Sequence, residues 1–242
     1  MSKIGITEHG DPVFDLSWIP WVKANKPTIL ITKNPGKLFE LLKQIKEPKN
    51  LIIHCTITGN GDTVIEPNVP PPEESLSALK DFVDLYGKNR IVLRIDPIFP
   101  HKEFIRNSKQ VLDDAQNLLN ENMCRVRISF YDNYNHSLER LSQIGIKPAN
   151  KEFHLSILVR RKLWELYGKP DLCGEPGLPS IPCVSELDCK ILGVKPNVSL
   201  TGQRTTCKCL SNKFELLKKT RTQCLHSCNY CYLKKDSNKT LF

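Results

Sequence analysis

Short apolar runs alternate with amphipathic stretches along the first two-thirds of the chain. The apolar runs are rich in β-branched residues and predict strands; they read KIGIT, TILITK, NLIIHCTITG, RIVLRIDPIFP and MCRVRISFYDNY. The stretches between them repeat apolar residues at helical spacing; they include KLFELLKQI, EESLSALKDFVDLYG, FIRNSKQVLDDAQNLLNEN and HSLERLSQIG. This alternation predicts an α/β fold with a parallel sheet and helices outside it.

Polar side chains collect where the predicted strands end. Lys33 and Thr58 fall at the ends of two strands, while Arg94 and Asp96 fall in and after a third. Ligands of parallel α/β proteins bind at the carboxyl ends of the strands. Each residue alone is explained as a turn or ion-pair residue, but the set predicts a binding site.

The texture of the sequence changes near residue 150. The stretch KEFHLSILVRRKLWELYG has helical spacing, and the chain then becomes rich in cysteine and proline. KFELLKKTR predicts a last strand or short helix before the segment TQCLHSCNYCYLKK. We therefore divide the chain into a βα region (1–150), a helical and cysteine-rich segment (151–210) and a last strand with its cysteine loop (211–242).

Composition limits the class of protein and its compartment. The hydrophobic share of 40% and charged share of 25% are those of a soluble globular protein. No apolar run is long enough to span a bilayer, and the first residues do not resemble a signal peptide, so we expect a cytoplasmic protein without a membrane partner. In a reducing compartment, the ten cysteines indicate metal or redox chemistry rather than disulfides.

The net charge and a search for hydrolase motifs say less about function than the cysteines do. The net charge of +9 is compatible with a nucleic-acid partner, although a solvated basic face explains it equally well. The chain has no G-x-S-x-G, no phosphate-binding G-x-x-x-x-G-K-S/T and no H-E-x-x-H motif. A hydrolytic function is therefore disfavoured.

Cys224, Cys228 and Cys231 offer three soft thiolates from one short segment. Such ligands suit zinc or an iron–sulfur cluster. Zinc would need a fourth ligand, for which His226 is available in the same segment. A 4Fe-4S cubane held by three thiolates instead leaves one iron open, and S-adenosylmethionine can chelate that iron.

This cysteine spacing, with the aromatic Tyr230 before the third cysteine, resembles the cluster loop of radical S-adenosylmethionine (SAM) enzymes. His226 and Tyr232 also occur in members such as spore photoproduct lyase. Over nearly the whole chain, the segments TKNP, EPNVPP, DPI and CxxxCxYCY resemble the domain-of-unknown-function 1848 family, whose C-terminal cysteines are likened to that loop. The resemblance implies a partial (β/α)6 TIM-like barrel of radical SAM type, a 4Fe-4S cluster on the three cysteines, and Tyr230 against the adenine of S-adenosyl-L-methionine.

The position of the loop implies a circular permutation. Enzymes of this type carry the loop after the first strand of the barrel, whereas here it lies close to the end of the sequence. KFELLKKTR would then be the strand before the loop and KIGIT its neighbour. The permutation places Glu8 or Asp11 against the amino group of the cofactor.

The same geometry assigns further contacts to the cofactor. Arg94 or Lys33 would pair with its carboxylate, Thr58 would bond its ribose, and Asp96 would lie beside them at the barrel mouth. Each of these residues has a structural alternative as an ion-pair or turn residue.

Four other cysteines predict a second metal site, either an iron–sulfur cluster or zinc; they are Cys173, Cys183, Cys207 and Cys209. Free cysteines in a core are the alternative, but the close Cys207-x-Cys209 pair argues against it. Cys189 is the weakest candidate for this site, and we expect Cys55 and Cys124 to be core residues.

The sequence therefore predicts a radical SAM enzyme that forms a 5′-deoxyadenosyl radical and abstracts hydrogen from an unknown substrate. Its partners are S-adenosylmethionine and an electron donor, and the basic charge makes a nucleic-acid substrate conceivable. Tyr131, Cys124 or Tyr134 would relay or return a hydrogen atom. The alternative is a non-catalytic zinc or iron–sulfur protein that binds nucleic acid through its basic surface and completes its metal site with a fourth protein ligand.

Overall fold

A parallel sheet forms the centre of the computed structural model, which describes residues 3–46, 48–199, 206–218 and 224–234. The strands are β1 (Ile4–Ile6), β2 (Thr28–Thr32), β3 (Leu51–Thr56), β4 (Ile91–Ile98), β5 (Arg125–Phe130), β6 (Asp171–Leu172) and β7 (Lys213–Glu215). Their order in the sheet is β6-β5-β4-β3-β2-β1-β7. The sheet is open and curls into a half-barrel.

Helices follow most of the strands, as the alternation predicted. They are α1 (Ile19–Lys23), α2 (Pro35–Gln44), α3 (Pro72–Tyr86), α4 (Lys102–Leu119), α5 (Asn135–Gln143), α6 (Ile157–Leu166) and α7 (Glu186–Ile191). Side chains accept hydrogen bonds from free backbone N–H groups at the N-termini of some helices. Asn34 caps α2, and Ser185 forms a capping box on α7. The mixed α/β fold with a parallel sheet is confirmed. No helix in the described part of the chain combines the length and apolar character needed to cross a membrane.

The two faces of the sheet are covered differently. On the helix face, strand residues such as Leu30, Ile53 and Leu93 pack against α2, α3 and α4. On the opposite face, which we call the cysteine face, strand residues such as Ile52 and Val92 pack against the segments 173–194 and 207–210. Because both faces are buried, the strands read as continuous apolar runs rather than alternating ones.

Two local predictions differ from the structure. The sheet has a seventh strand, β6, which comes from the segment 151–210 and was missed because two residues carry no periodic signal. The helix predicted from residue 151 begins only at Ile157, where Ser156 caps it. The preceding residues instead form bends, and the carbonyl of Glu152 accepts a hydrogen bond from the side chain of Asn133 (2.7 Å).

The edge strand β7 connects the two ends of the described chain. It runs parallel to β1, with Ile4 opposite Lys213 and Ile6 opposite Glu215. The carboxylate of Glu215 extends this pairing by accepting the N–H groups of Glu8 (2.9 Å) and His9 (3.1 Å). The strand in KFELLKKTR therefore lies beside the strand in KIGIT, and the cysteine loop follows from this edge.

Candidate metal and cofactor site

The cysteine loop, residues 224–234, is tied to the segment that follows β3. The backbone N–H of Asn229 donates to the carbonyl of Ile65 (2.9 Å), and its side-chain amide donates to that of Val64 (2.6 Å). The side chain of Asn68 donates to the carbonyl of Leu225 (2.7 Å). These contacts hold the loop at the carboxyl ends of the strands, where ligands of parallel sheets bind.

A buried arginine fixes the other end of the loop. The guanidinium of Arg140, on α5, donates to the carbonyls of Asn229 (3.1 Å), Cys231 (2.6 Å) and Lys234 (3.1 Å). Sequence reasoning missed Arg140 because a lone arginine in an amphipathic helix reads as a surface residue. Its five-donor fork suits a site where several carbonyls converge.

His226 is an anchor of the loop. Its Nε2 lies 2.8 Å from Asp11 Oδ2, and its Nδ1 lies 3.0 Å from the carbonyl of Asn68. Both ring nitrogens thus face acceptor oxygens, so neither presents a lone pair toward a metal. The ring is buried and packs edge-on against Phe14, with centroids 4.8 Å apart.

The carboxylate of Asp11 is surrounded by protein donors. Besides His226, it accepts the hydroxyl of Thr32 (2.8 Å) and the backbone N–H groups of Lys33 (2.7 Å) and Val13 (3.1 Å). Asp11 lines the cavity described below, but its oxygens are engaged in joining the β1 and β2 ends to the cysteine loop. The sequence assigned Asp11 or Glu8 to the amino group of the cofactor, and that assignment stays a prediction.

Glu8, the other candidate for the cofactor amino group, also lines the cavity. Its carboxylate forms an ion pair with Lys213 at 2.7 Å. Glu8, His9 and Glu215 bring three donor atoms within 4.8 Å of one another. The sequence did not predict this cluster. Both of its carboxylates already have protein partners, since Glu8 pairs with Lys213 and Glu215 accepts the backbone N–H groups of Glu8 and His9.

The three thiols of the loop open onto one cavity of about 240 Å³. Burial raises the pKa of Cys224 to about 11 and raises that of Cys228 further. Among the described residues, no three thiol sulfurs lie within 4.8 Å of one another. Sulfurs on one zinc ion would be about 3.8 Å apart, given a Zn–S bond of about 2.3 Å. Cys224, Cys228 and Cys231 are therefore spread more widely than the ligands of a zinc ion.

A fully buried carboxylate, Glu66, organises the wall beside these thiols. It accepts Lys33 Nζ at 2.7 Å, Thr58 Oγ1 at 2.5 Å and the hydroxyl of Tyr230. Burial opposes its charge, but Lys33 and the two hydroxyl hydrogen bonds outweigh burial and lower the pKa of Glu66. Burial likewise opposes the charge of Lys33, whose pKa is nevertheless raised, chiefly by Glu66. The pair is therefore ionised.

Glu66 is a residue that sequence reasoning did not single out. The available signal was a lone carboxylate inside the proline-rich EPNVPP segment, where an acidic residue has no helical or strand role. Thr58, one of the predicted cofactor contacts, lies behind the cavity wall, because its hydroxyl is directed at Glu66 and Thr56 lines the cavity instead.

Tyr230 and Lys33 both face the cavity. The Tyr230 ring packs edge-on against Phe99 at 5.2 Å, and Lys33 Nζ lies 5.3 Å from its centroid. Burial, followed by the charge of Glu66, raises the pKa of Tyr230 well above its ordinary value. Its phenol is therefore a neutral hydrogen-bond donor at physiological pH.

Arg94 and Asp96 line the opposite wall as an ion pair, and the hydroxyl of Ser129 donates to Asp96. Burial alone would lower the pKa of Arg94, but the neighbouring Cys183 and Asp96 more than offset it. Of the residues proposed to relay hydrogen, Tyr131 and Tyr134 line the cavity. Cys124 belongs to the helix-face core, as does Cys55.

The remaining predicted ligands come together as a group that we call the thiol quartet: Cys173, Cys183, Cys207 and Cys209. The sulfurs of Cys173 and Cys183 are 3.5 Å apart. Cys209 belongs to the same buried cluster and Cys207 packs against it, and Cys183 and Cys207 both raise the pKa of Cys209. Cys189 is fully buried among apolar side chains of the cysteine face.

A parallel α/β half-barrel with a cysteine-lined cavity at the carboxyl ends of its strands is the class of protein that these features define. The chain belongs to the family described as domain of unknown function (DUF1848), whose model matches residues 22–233. No curated protein and no solved structure matches the chain.

Proposed function

We propose that the protein is a radical SAM enzyme that binds a 4Fe-4S cluster through Cys224, Cys228 and Cys231. The observation that carries the proposal is that the three thiols of one loop line the same cavity, while both ring nitrogens of His226 face other acceptors. Those acceptors are the carboxylate of Asp11 and the carbonyl of Asn68. A structural zinc site on this loop would need a fourth protein ligand. A radical SAM enzyme instead needs one iron of its cluster to have no protein ligand.

The donor set fits the cluster. Thiolates are the protein ligands of iron–sulfur clusters, and three of them leave one iron free for a small-molecule ligand from the cavity. When bound together, the cluster and S-adenosylmethionine supply one-electron cleavage of the sulfonium and thus a radical that abstracts hydrogen. An external electron donor is required for this chemistry.

The chain's own side chains provide the charges that such a ligand needs. Lys33 and Arg94 present cations to the cavity, suited to the carboxylate of the cofactor, and Glu8 presents an anion suited to its amino group. Tyr230 forms a flat wall beside Lys33, suited to an adenine ring. Asp11 and Glu66 act by position, because they hold the cysteine loop and its wall in place.

The strand order supports a permuted barrel of radical SAM type. The cysteine loop follows β7, and β7 pairs in parallel with β1 at the edge of the sheet. From there the order continues through β2, β3, β4 and β5, which gives six consecutive parallel strands with the loop after the first of them. Ten free cysteines suit a reducing cytoplasm.

Anaerobic reconstitution with iron and sulfide, followed by dithionite and S-adenosylmethionine, tests the proposal. We expect 5′-deoxyadenosine in the wild type, no product from Cys228→Ala, and undiminished product from the control Cys189→Ala, since Cys189 is buried away from the loop. Adding S-adenosylmethionine to the reduced protein should also change its electron paramagnetic resonance spectrum. Zinc bound at the loop, with no deoxyadenosine, would refute the proposal and favour a nucleic-acid-binding module.

A further inference from the structure

The cysteine face contains buried donors that the proposed catalytic site does not use. Arg127, on β5, is 1% exposed, and none of its three guanidinium nitrogens makes a hydrogen bond in the described part of the chain. Its ion pair with Asp171 at the sheet edge is long, at 3.6 Å between Nη2 and Oδ2. Both ring nitrogens of His54, on β3, are likewise buried without a hydrogen-bond partner among the described residues.

Neighbouring charges do not explain these groups. Two other arginines of the same strands have close carboxylates, since Arg94 pairs with Asp96 and Arg125 pairs with Asp188 at 2.7 Å. The carboxylate paired with Arg127 is that of Asp171, which at 3.6 Å lies beyond hydrogen-bond distance. Buried polar groups in folded proteins are almost always satisfied, so a buried guanidinium without a hydrogen bond among the described residues signals a missing acceptor.

The missing acceptor would lie at the thiol quartet. Cys173 and Cys183 line the cavity together with Arg94, and they pack on the same face of β3 and β4 as Ile52 and Val92. Strand register places Arg94 opposite Arg127, so both side chains point to the cysteine face, where Cys173 and Cys183 pack. The donors and the thiols therefore lie on the same face of the sheet.

We propose that the thiol quartet binds a second metal centre of net negative charge, toward which Arg127 and His54 donate their N–H groups. Four thiolates are the ligand set of an iron–sulfur cluster or of Zn²⁺, and both complexes are anionic overall. The quartet sulfurs, like those of the cysteine loop, are spaced more widely than the ligands of one zinc ion, so the spacing favours the cluster and zinc would require the quartet to contract. Sulfur atoms carrying that charge are the acceptors that the buried donors lack. The proposal stands without the catalytic cluster, because it uses none of its ligands.

The test begins with full-length protein that lacks the catalytic ligands, the triple variant Cys224→Ala, Cys228→Ala and Cys231→Ala. The protein is purified anaerobically, incubated in parallel with Zn²⁺ or with Fe²⁺ and sulfide, desalted through a chelator and analysed for metal and sulfide. We expect one centre per chain to remain. Adding Cys183→Ala should abolish it, whereas adding Cys189→Ala, a buried cysteine outside the quartet, should not.

X-ray absorption then identifies the metal, because a four-sulfur shell at about 2.3 Å should appear at the zinc or the iron edge. Replacing Arg127 with methionine preserves the apolar bulk and removes the donors. Second-shell changes of this kind weaken metal binding roughly tenfold or more, so the dissociation constant should rise by that factor while circular dichroism stays unchanged.

Two results would overturn the proposal. One is a folded triple variant that retains less than a tenth of a metal centre per chain under both conditions. The other is a disulfide between Cys173 and Cys183 in protein taken from cells under thiol-blocking conditions, because that bond would consume two of the ligands. If Arg127→Met left the metal affinity unchanged, the proposed hydrogen bonds from Arg127 to the metal centre would be refuted.

Discussion

Replacing Glu66 with glutamine removes one charge from the buried wall of the cavity and keeps the size of the side chain. The carboxylate is fully buried and accepts Lys33 Nζ at 2.7 Å and Thr58 Oγ1 at 2.5 Å. The amide of glutamine can still accept one or two of these hydrogen bonds. The ammonium of Lys33, however, loses the anion that compensates its burial.

The size of the effect follows from that loss. Removing one partner of a buried ion pair costs about 3–5 kcal/mol. The side chain of Lys33 is 18% exposed, so its ammonium recovers part of its hydration in the variant. We therefore expect the free energy of unfolding to fall by about 3 kcal/mol, the lower end of the range.

The effect should depend on pH in a defined direction. The pKa of Glu66 is lowered in the folded protein, whereas a glutamate in the unfolded chain has a pKa of about 4.3. Its stabilising contribution is thus complete above that pH and disappears as the pH falls through the folded pKa. The difference between wild type and Glu66→Gln should therefore be constant near neutrality and shrink in acid.

Urea unfolding measured from pH 7 down to about 3.5 checks both expectations. Glu121→Gln, a change at an exposed glutamate, is the matched control and should alter stability by less than about 0.5 kcal/mol. A loss below about 1 kcal/mol at pH 7 would contradict the ion-pair argument. So would a loss that stays the same across the acid range.

Three further substitutions probe the loop. Arg140→Lys leaves one ammonium for three carbonyls, so reconstituted iron should be lost to a chelator faster than from the exposed control Arg106→Lys, and equal rates would contradict the clamp. Asp11→Asn places an N–H₂ group among four donors. We expect the free energy of unfolding to fall by about 2 kcal/mol or more and the iron content to decrease. Wild-type values for both would refute the role of Asp11 in anchoring the loop. Tyr230→Phe removes only the hydroxyl bonded to Glu66, so unfolding free energy should fall by about 1 kcal/mol while iron content is retained; lost iron would show that the hydroxyl is needed for the cluster.

The strands and helices were predictable because their signals are local. The five apolar runs that contain β1 to β5 are each long enough to show composition and spacing, and helices α2 to α5 have clear amphipathic periods. KFELLKKTR, predicted as a last strand or a short helix, contains β7. β6 has two residues and no such signal. The spacing of Cys224, Cys228 and Cys231 is equally local, whereas the quartet is spread over 37 positions and was singled out by its cysteine- and proline-rich composition and the close Cys207-x-Cys209 pair.

The residues that hold the site together were not predictable in the same way. Glu66 bonds Tyr230, which is 164 positions away, and Arg140 bonds Cys231 across 91 positions. No pattern within a helix or strand marks such residues, because their role depends on chain segments that meet only after folding. Asp11 shows the same limit, since the sequence assigned it or Glu8 to the amino group of the cofactor but gave no sign of the four protein donors around it.

The pairing of β1 with β7 sets an order of events during synthesis. Ile4 emerges from the ribosome about two hundred residues before its partner Lys213, and the cysteine loop emerges later still. Long-range pairings of this kind form slowly and leave an incomplete edge exposed in the meantime. The loop meets Asp11, Asn68 and Arg140 only once these earlier segments have folded, so its three thiols take up their places after the sheet has formed. Under the proposed function, iron would therefore enter the loop only after β7 has paired with β1.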